Sequence, residues 1–164
     1  MAICAATLVG GCAAIGRAEL GSRSVGSPVA IVAPDLSGTP VDIFAAQGRV
    51  RIVHFWASWC EPCARALPEL YGLTQELGSV GLEVYAVSID RDRQALEAFL
   101  ARRSLKLRVL IDDEAAQMSR LDVHTMPVSL IVDRHGVIRY VDQGWDARSV
   151  GRERSQVEVL LAED

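Results

Sequence analysis

The sequence predicts an α/β domain with a mixed central β-sheet. Strand patterns alternate with helical patterns along most of the chain, which is typical of parallel strands joined by crossover helices. A tight hairpin near the C-terminus adds antiparallel strands, so the sheet is expected to be mixed rather than purely parallel. The length of 164 residues suits one domain with a short extension. The sequence contains no internal repeat and indicates no second domain.

Two strands are predicted in the first part of the domain. Gly38-Thr39-Pro40 predicts a turn, and Val41–Phe44 follows it as a short strand. Arg49–Trp56 is rich in β-branched and aromatic residues, which is typical of a buried central strand.

A helix is predicted to begin at Pro62, because a proline is tolerated where its missing N–H would be unpaired anyway. Apolar residues follow at helical spacing, and Gly78 is expected to end the helix as its C-terminal cap. Pro68 lies inside this helix and is expected to kink it.

Two further strands, each followed by a helix, are predicted before the hairpin. Asp92 and Asp113 are expected to cap the two helices, because a side-chain oxygen at this position accepts a hydrogen bond from a free N–H group. The segments are, in chain order, the strand Leu82–Ile89, a helix with Leu96, Phe99 and Leu100 on its apolar face, the strand Arg108–Ile111, and a brief helix through Ala116 and Leu121.

The hairpin is predicted to join the strands Val128–Val132 and Val137–Val141. Its turn is Asp133-Arg134-His135-Gly136, in which the glycine supplies the positive φ angle. The charged segment Asp146–Glu163 has apolar residues on one side and predicts a terminal amphipathic helix, with its arginines and Glu153 on a solvated face.

Charge and cysteine content narrow the function classes. The net charge of −4 gives no reason to expect nucleic acid as a partner. The four cysteines, Cys4, Cys12, Cys60 and Cys63, are too few for a small disulfide-stapled domain. One close pair in an otherwise cysteine-free body indicates redox or metal chemistry.

Residues 1–28 are predicted to be a targeting segment and a tether, and residues 29–164 to be the domain. The first fifteen residues are apolar and uncharged, too short for a membrane-spanning helix but suited to a secretory signal. The run from Leu8 to Cys12 resembles a bacterial lipobox, which implies cleavage before Cys12, lipidation of that cysteine and loss of Cys4. The first basic residue is Arg17, beyond the cleavage point, so a plain cleaved signal or a cytosolic start is the alternative. Residues 16–28 are rich in Gly and Ser, which is typical of a flexible tether.

The Cys60-Glu61-Pro62-Cys63 motif lies between a predicted strand and a predicted helix. Two thiols at this spacing on a helix start can form a disulfide with little backbone change. The helix N-terminus offers partial positive charge and free N–H groups to the first sulfur, which favours its thiolate. Because the thiolate is the nucleophile, Cys60 is the candidate attacking thiol and Cys63 the candidate resolving thiol.

These residues carry a family resemblance. The run from Phe55 to Cys63, together with Pro68 and Thr125-Met126-Pro127, resembles the thioredoxin superfamily. The CEPC motif, the GTP lead-in and the run PVSLIVDRHGVI narrow it to the TlpA/ResA-like branch of exported thiol reductases, over roughly residues 29–145. The resemblance implies a thioredoxin fold, a mixed sheet flanked by helices on both faces, and a cis peptide bond before Pro127. In that family the proline packs against the CxxC pair and helps to hold the incoming peptide.

The resemblance also implies a reaction and its setting. Cys60 would attack a disulfide in an exported protein, and Cys63 would attack Cys60 to release the reduced substrate. The implied electron donor is a membrane thiol transporter of the CcdA or DsbD type, and cytochrome c maturation is one possible role. We expect a monomer without a cofactor, on the periplasmic side of a bacterial envelope and held there by its N-terminal lipid or signal.

Several neighbouring residues are candidates for the substrate groove or for tuning the thiols, namely Trp59, Glu61, Pro62, His54 and Met126. The charge of Glu61 works against a Cys60 thiolate, which favours a reductant over an oxidant. Trp59 is expected to be exposed and Trp56 partly buried. His54 lies where thioredoxin has a buried acid, and it is either a proton shuttle for Cys63 or a hydrogen-bonded core residue.

Two features set limits to the assignment. Many family members carry a glutamate three residues after the second cysteine, where this chain has Ala66, and this weakens an assignment to apocytochrome c. The alternative function is a Sco-like copper chaperone, in which the thiolate pair and a nearby His124 bind Cu(I). Sco-like proteins, however, have three residues between their cysteines. No second cysteine pair or paired histidine completes a zinc site, so no metal is predicted.

Overall fold

The computed structural model describes residues 25–163. The strands within these residues are β1 (Val32–Pro34), β2 (Pro40–Asp42), β3 (Val50–Trp56), β4 (Leu82–Ser88), β5 (Arg108–Ile111), β6 (Val128–Val132) and β7 (Ile138–Gln143). The α-helices are α1 (Glu61–Leu77), α2 (Arg93–Arg103), α3 (Ala116–Arg120) and α4 (Ser149–Ala162). None of these helices is both long enough and apolar enough to cross a membrane. The predicted signal, Cys4 and the lipidation site Cys12 lie outside the described residues.

The central sheet has five strands in the order β5-β4-β3-β6-β7. Strand β3 pairs in parallel with β4, and β4 with β5, whereas β6 runs antiparallel to both β3 and β7. The prediction of a mixed sheet is therefore confirmed. All seven residues of β3 are buried, because this strand has neighbours on both edges and layers on both faces.

Alternate residues of β3 face two different layers. Ile52 and Trp56 pack into apolar clusters with α1, α2 and α4. Val53 and Phe55 pack on the opposite face with α3 and with the residues of the β1–β2 hairpin. Helices therefore cover both faces of the sheet, as predicted.

Helix α1 begins directly after Cys60 and continues through Pro68. Because Pro68 has no N–H group, the carbonyl of Ala64, four residues earlier, lacks its usual helical donor. Arg103 of α2 supplies a replacement, since its Nη1 donates to the Ala64 carbonyl at 3.3 Å. The guanidinium group of Arg103 also lies 4.5 Å from the ring centroid of Phe99. The proline thus becomes a point at which the two helices are joined.

Helix α1 ends at Leu77, and Gly78 is its C-cap residue. Gly78 has a right-handed conformation, with φ at −61°, and begins a short 3₁₀ turn through Val80. The positive φ angle falls instead at Gly81, where φ is 126°. The prediction of Gly78 as the C-terminal cap is therefore confirmed, and the chain makes one more tight turn before the positive φ angle at Gly81.

Two helix starts differ from the sequence pattern. The carboxylate that serves α3 belongs to Asp112, which accepts hydrogen bonds from the backbone N–H groups of Gln117 and Met118, so Asp113 is not its cap. Helix α4 begins at Ser149 rather than at Asp146, whose carboxylate instead holds the preceding turn through the N–H of Arg148.

The hairpin turn agrees with the prediction in its glycine. Gly136 has a φ angle of 82°, and the Asp133 carboxylate accepts from the backbone N–H groups of His135 and Val137. Burial alone would raise the pKa of Asp133, but these N–H donors and Arg139 outweigh it and lower the pKa. Strand β7 begins at Ile138, one residue later than predicted.

Residues on the N-terminal side of residue 29, the predicted start of the domain, form backbone hydrogen bonds with the sheet. Gly26 donates to the Ile138 carbonyl at 2.8 Å, and Ser27 accepts from the N–H of Ile138 at 3.0 Å. Pro28 forms an isolated bridge with Val137. Residues 26–28 belong to the predicted tether, yet their backbone groups pair with the start of β7. The short strand predicted at Val41–Phe44 is also displaced, since β2 is Pro40–Asp42.

Candidate active site

Cys60 and Cys63 form a disulfide at the start of α1, with their Cα atoms 5.3 Å apart. Cys60 is the N-cap residue of the helix, and its sulfur accepts a hydrogen bond from the N–H of Cys63 at 3.4 Å. Cys60 is partly exposed, whereas Cys63 is completely buried. The first sulfur therefore lies nearer to solvent and to the positive end of the helix dipole.

The loop that precedes Cys60 is held by a residue that the sequence pattern did not single out. Asp90, at the end of β4, accepts from the backbone N–H of Ser58 at 2.8 Å and from its hydroxyl at 2.6 Å. Ser88 also donates to this carboxylate, at 2.7 Å. Because β3 and β4 are parallel and adjacent, their carboxyl ends meet here, and this adjacency is the signal by which Asp90 could have been found.

The two tryptophans have opposite environments. Trp59 is 69% exposed beside the disulfide, as predicted, and it lines a surface cavity of about 540 Å³ together with Asp90 and Asp92. Trp56 is fully buried rather than partly buried, and its ring packs 5.4 Å from that of Phe99. Its position on the central strand explains the difference, because neighbouring strands and helices enclose it.

The loop before β6 packs against the apolar cluster that contains Cys63. The Met126–Pro127 peptide bond is cis, as the resemblance implies. Pro127 is buried, and Met126 and Cys60 pack against the same apolar cluster that contains Cys63. Met126 and the cysteines thus border one apolar cluster although they are far apart in sequence.

The candidate copper ligand His124 contacts an exposed carboxylate. Its Nε2 lies 2.8 Å from a carboxylate oxygen of Asp122, and both side chains are exposed. Among residues 25–163, no three His, Cys, Asp or Glu side chains come together as a metal site. The described residues therefore lack a third ligand for copper beside the thiol pair.

Glu61 and Pro62 occupy the first turn of α1. The Glu61 side chain is 84% exposed and pairs with Arg65 at 3.0 Å. Solvent and this cation both screen its charge, so its influence on the thiols is small. The helix begins at Glu61, one residue before the predicted start at Pro62.

His54 is completely buried on β3, on the same face of the sheet as Trp56. Its Nδ1 lies 2.9 Å from the hydroxyl of Ser129 on β6, and the ring of Trp145 stands edge-on at 6.0 Å. Burial lowers the pKa of His54 to about 3, so the imidazole is neutral at neutral pH. Within residues 25–163 its Nε2 has no hydrogen-bond partner. Nδ1 is thus paired with a side chain of the core, whereas Nε2 is unpaired among the described residues.

Glu153 is the main polar residue whose environment the sequence analysis missed. It is 1% exposed on α4, and its Oε2 has no hydrogen-bond partner within residues 25–163. Burial raises its pKa to about 7. The prediction of a solvated position for this side chain was wrong. Glu153 lies four residues before the buried Val157, on the same side of the helix, and this spacing was the available signal.

The model of one family, Redoxin, matches residues 24–161 of the chain. The chain is 25% identical over 123 residues to the thiol-disulfide oxidoreductase ResA of Halalkalibacterium halodurans, covering 75% of this chain and 70% of that protein. It is 27% identical over 107 residues to ResA of Bacillus cereus, covering 65% of this chain and 62% of that protein. The chain therefore spans roughly two thirds of the length of these relatives.

Solved structures share the whole architecture. A provisionally named thiol:disulfide interchange protein DsbE from Chlorobium tepidum superposes with a TM-score of 0.79 at 24% identity, covering 85% of this chain and 98% of that one. The thioredoxin domain of a thiol-disulfide oxidoreductase from Bacteroides vulgatus superposes with a TM-score of 0.72 at 22% identity, covering 81% and 97%. These likenesses confirm the predicted thioredoxin fold.

Proposed function

The chain belongs to the Redoxin family, and we propose that it is a thiol-disulfide oxidoreductase that reduces disulfides in exported proteins. The observation that carries this proposal is the disulfide between a partly exposed Cys60 and a fully buried Cys63 at a helix N-terminus. A nucleophile must be reachable and a resolving thiol must be close, and this pair meets both conditions.

The reaction follows from thiol–disulfide exchange. In the reduced protein the Cys60 thiolate attacks a substrate disulfide, forms a mixed disulfide and displaces one substrate thiolate. Cys63 then loses its proton and attacks the Cys60 sulfur, which releases the second substrate thiolate and restores the Cys60–Cys63 bond. Two electrons pass from the protein to the substrate, so a donor must reduce the pair again.

The substrate groove is proposed to lie between the helix start and the loop before β6. The packing of Met126 and Cys60 on one apolar cluster supports this position. Trp59, with 69% of its surface free, supplies an aromatic wall. Pro127 borders the groove from the loop, and Pro62 shapes the first turn of α1.

His54 is proposed to handle the proton of Cys63. Cys63 is fully buried, so bulk water has no direct access to its thiol. His54 is neutral and buried on the same sheet face, and its unpartnered Nε2 offers an acceptor or a donor according to its tautomer.

The cellular setting is proposed from the relatives and from the N-terminal sequence. Relatives named ResA are thiol-disulfide oxidoreductases, which supports an exported, envelope-facing reductase. A lipidated Cys12 would hold it at the membrane on the periplasmic side, and a thiol transporter of the CcdA or DsbD type would reduce it. Ala66, which is buried in α1, leaves apocytochrome c as one of several possible substrates.

Trapping of mixed disulfides tests the proposal. The variant Cys63→Ser can attack a substrate but cannot resolve the adduct, so covalent complexes with exported proteins should accumulate. The matched variant Cys60→Ser should trap none, and neither variant should reduce insulin at more than about 1% of the wild-type rate. Copper binding without insulin reduction by the wild-type protein would contradict the proposal and favour a metal carrier.

A further inference from the structure

The loop between β7 and α4 connects the loop before β6 with the buried histidine. The N–H of Gly144, directly after β7, donates to the Pro127 carbonyl at 2.8 Å. Gly144 has a φ of 75°, a conformation that glycine adopts without steric cost. The next residue is Trp145, whose ring lies edge-on to His54 with the ring centroids 6.0 Å apart. Two adjacent residues therefore contact, in turn, the border of the proposed substrate groove and the imidazole.

Trp145 is the neighbour of His54 that extends to the surface. His54 and its hydrogen-bond partner Ser129 are at most 1% exposed, and Trp56, two residues further along β3 on the same face, is fully buried. Trp145 is half-buried and packs against the apolar cluster that contains Ala66. The indole thus covers the imidazole on a side where the protein meets solvent, and its edge-to-face contact favours one orientation of the ring.

Exclusion of water, rather than a charged neighbour, determines the charge of His54. Burial lowers its pKa to about 3, and within residues 25–163 the imidazole hydrogen-bonds to no ionisable side chain. The ionisable side chains on the elements around this face of the sheet are Cys63 of α1, Asp142 of β7, and Arg152 and Glu153 of α4. Asp142 is engaged with Arg152 at 2.9 Å. A side chain that keeps water away from the imidazole therefore keeps it neutral.

We propose that Trp145 is a positioning residue for the reaction, whose indole fixes the orientation of His54 and keeps bulk water away from its Nε2. The observation that gives this role a consequence is that Nε2 has no hydrogen-bond partner among the described residues. Water admitted to this nitrogen would hydrate the ring and make a positive charge on it less costly. The hydrogen bond from Gly144 to Pro127 holds the indole in place from the groove side.

The consequence for the reaction rests on the proposed function. Cys63 transfers its proton to Nε2 of a neutral His54, and the Cys63 thiolate then attacks the Cys60 sulfur of the mixed disulfide with its electron pair. The substrate thiolate leaves with the electrons of the broken sulfur–sulfur bond, and the imidazolium returns its proton to water. An imidazole hydrated after the loss of Trp145 would approach its ordinary pKa of 6.5, and below that pH it would already hold the proton that it has to accept.

Nitrogen-15 NMR of the His54 ring, in the full chain with its disulfide intact, tests the proposal. Trp145→Ala should raise the pH at which the imidazole is half-protonated by at least about one unit relative to the wild-type protein, because water reaches Nε2. Trp145→Phe keeps a ring at this position and should preserve the wild-type value. Tyr140→Ala is the matched control, since Tyr140 is another half-buried aromatic residue packed against the same apolar cluster, and it should also leave the value unchanged.

If Trp145→Ala does not fold, Trp145→Leu replaces it, because leucine keeps apolar volume but has no ring, and a shift in the same direction is expected. An unchanged protonation pH in the folded alanine or leucine variant would overturn the proposal. An equal shift in Tyr140→Ala would overturn it too, because any loss of packing in this cluster would then have the same effect. These readouts use oxidised protein and do not depend on turnover. Failure of the wild-type protein to reduce insulin would instead contradict the proposed function, so the two failures are distinguishable.

Discussion

At the scale of single residues, the two cysteines differ in surroundings rather than in chemistry. Cys60 accepts a backbone N–H bond at the helix start, and Cys63 is enclosed by the apolar cluster that contains Trp56. The loop that presents Cys60 depends on Asp90, which is 3% exposed and accepts from both the N–H and the hydroxyl of Ser58. A single buried carboxylate therefore determines how the attacking sulfur is presented.

Asp90→Asn should destabilise the protein and slow its reaction. An amide in place of one carboxylate oxygen would reverse or remove at least one of the hydrogen bonds from Ser58 and Ser88, and the remaining bonds would lose the negative charge that strengthens them. We expect a loss of about 1–3 kcal/mol in the free energy of unfolding, measured by urea titration, and a slower insulin reduction.

Ser58→Ala is the milder companion of this variant, because it removes one donor and leaves the carboxylate bonded to the backbone N–H. Its loss should be smaller than that of Asp90→Asn. Equal stability of Asp90→Asn and the wild-type protein would show that the loop does not depend on this carboxylate.

At the scale of elements, the start of α1 depends on neighbouring residues in the sequence, whereas the backbone conformation that follows its end depends on tertiary packing. The helix start could be predicted because its signals, a cysteine cap followed by a proline, lie within a few residues of each other. The end of the helix at Gly78 was predicted as well, whereas the positive φ angle at Gly81 was not. Gly81 takes the positive φ angle at a position where an added Cβ would lie 3.1 Å from Leu161 Cδ2 of α4, and that proximity depends on tertiary packing.

Alanine at these two glycines should have opposite effects. Gly81→Ala places a Cβ in a backbone conformation with φ at 126° and 3.1 Å from Leu161 Cδ2, so we expect a loss of about 1–3 kcal/mol in the free energy of unfolding. Gly78→Ala introduces a methyl group with no atom within 4 Å and at a right-handed φ, so a gain of about 0.5–1 kcal/mol is expected. Chemical denaturation measures both, and a destabilised Gly78→Ala would show that this C-cap position also requires a glycine.

At the scale of the whole molecule, the contact between His54 and Ser129 and the burial of Glu153 could not be predicted from the sequence. His54 and Ser129 are 75 positions apart, and they meet only because β3 and β6 pair in one particular register. The burial of Glu153 depends on the rotation of α4 against the sheet. The fold and the cysteine pair rest on local motifs and were predicted, whereas these contacts rest on strand register and helix packing.

His54 and Glu153 also make the stability of the protein depend on pH, in two opposing ways. The pKa of His54 falls to about 3 in the folded protein from an ordinary 6.5, so the unfolded chain binds more protons between these values and stability is lost as pH falls from 6.5 towards 3. The pKa of Glu153 rises from 4.5 to about 7, so its contribution is present below 4.5 and is lost as pH rises through 7.

His54→Asn should reduce the sensitivity to acid. We compare the free energy of unfolding at pH 7 and pH 4 within each protein, so that any packing cost of the substitution cancels. The variant should lose about 3 kcal/mol less than the wild-type protein over this interval. An identical loss in both proteins would mean that the imidazole is protonated in the folded state.

The backbone pairing of residues 26–28 places them at the end of the sheet opposite to Cys60. These residues leave the sheet beside the Asp133–Gly136 turn, whereas Cys60 follows the opposite end of β3, where Phe55 pairs with Val128. A strand of seven residues separates the two ends by roughly 20 Å. Gly26 thus lies at one end of the central sheet and the disulfide at the other. A binding partner that covered the end of the sheet with Gly26 would leave the reactive sulfurs accessible on the far side.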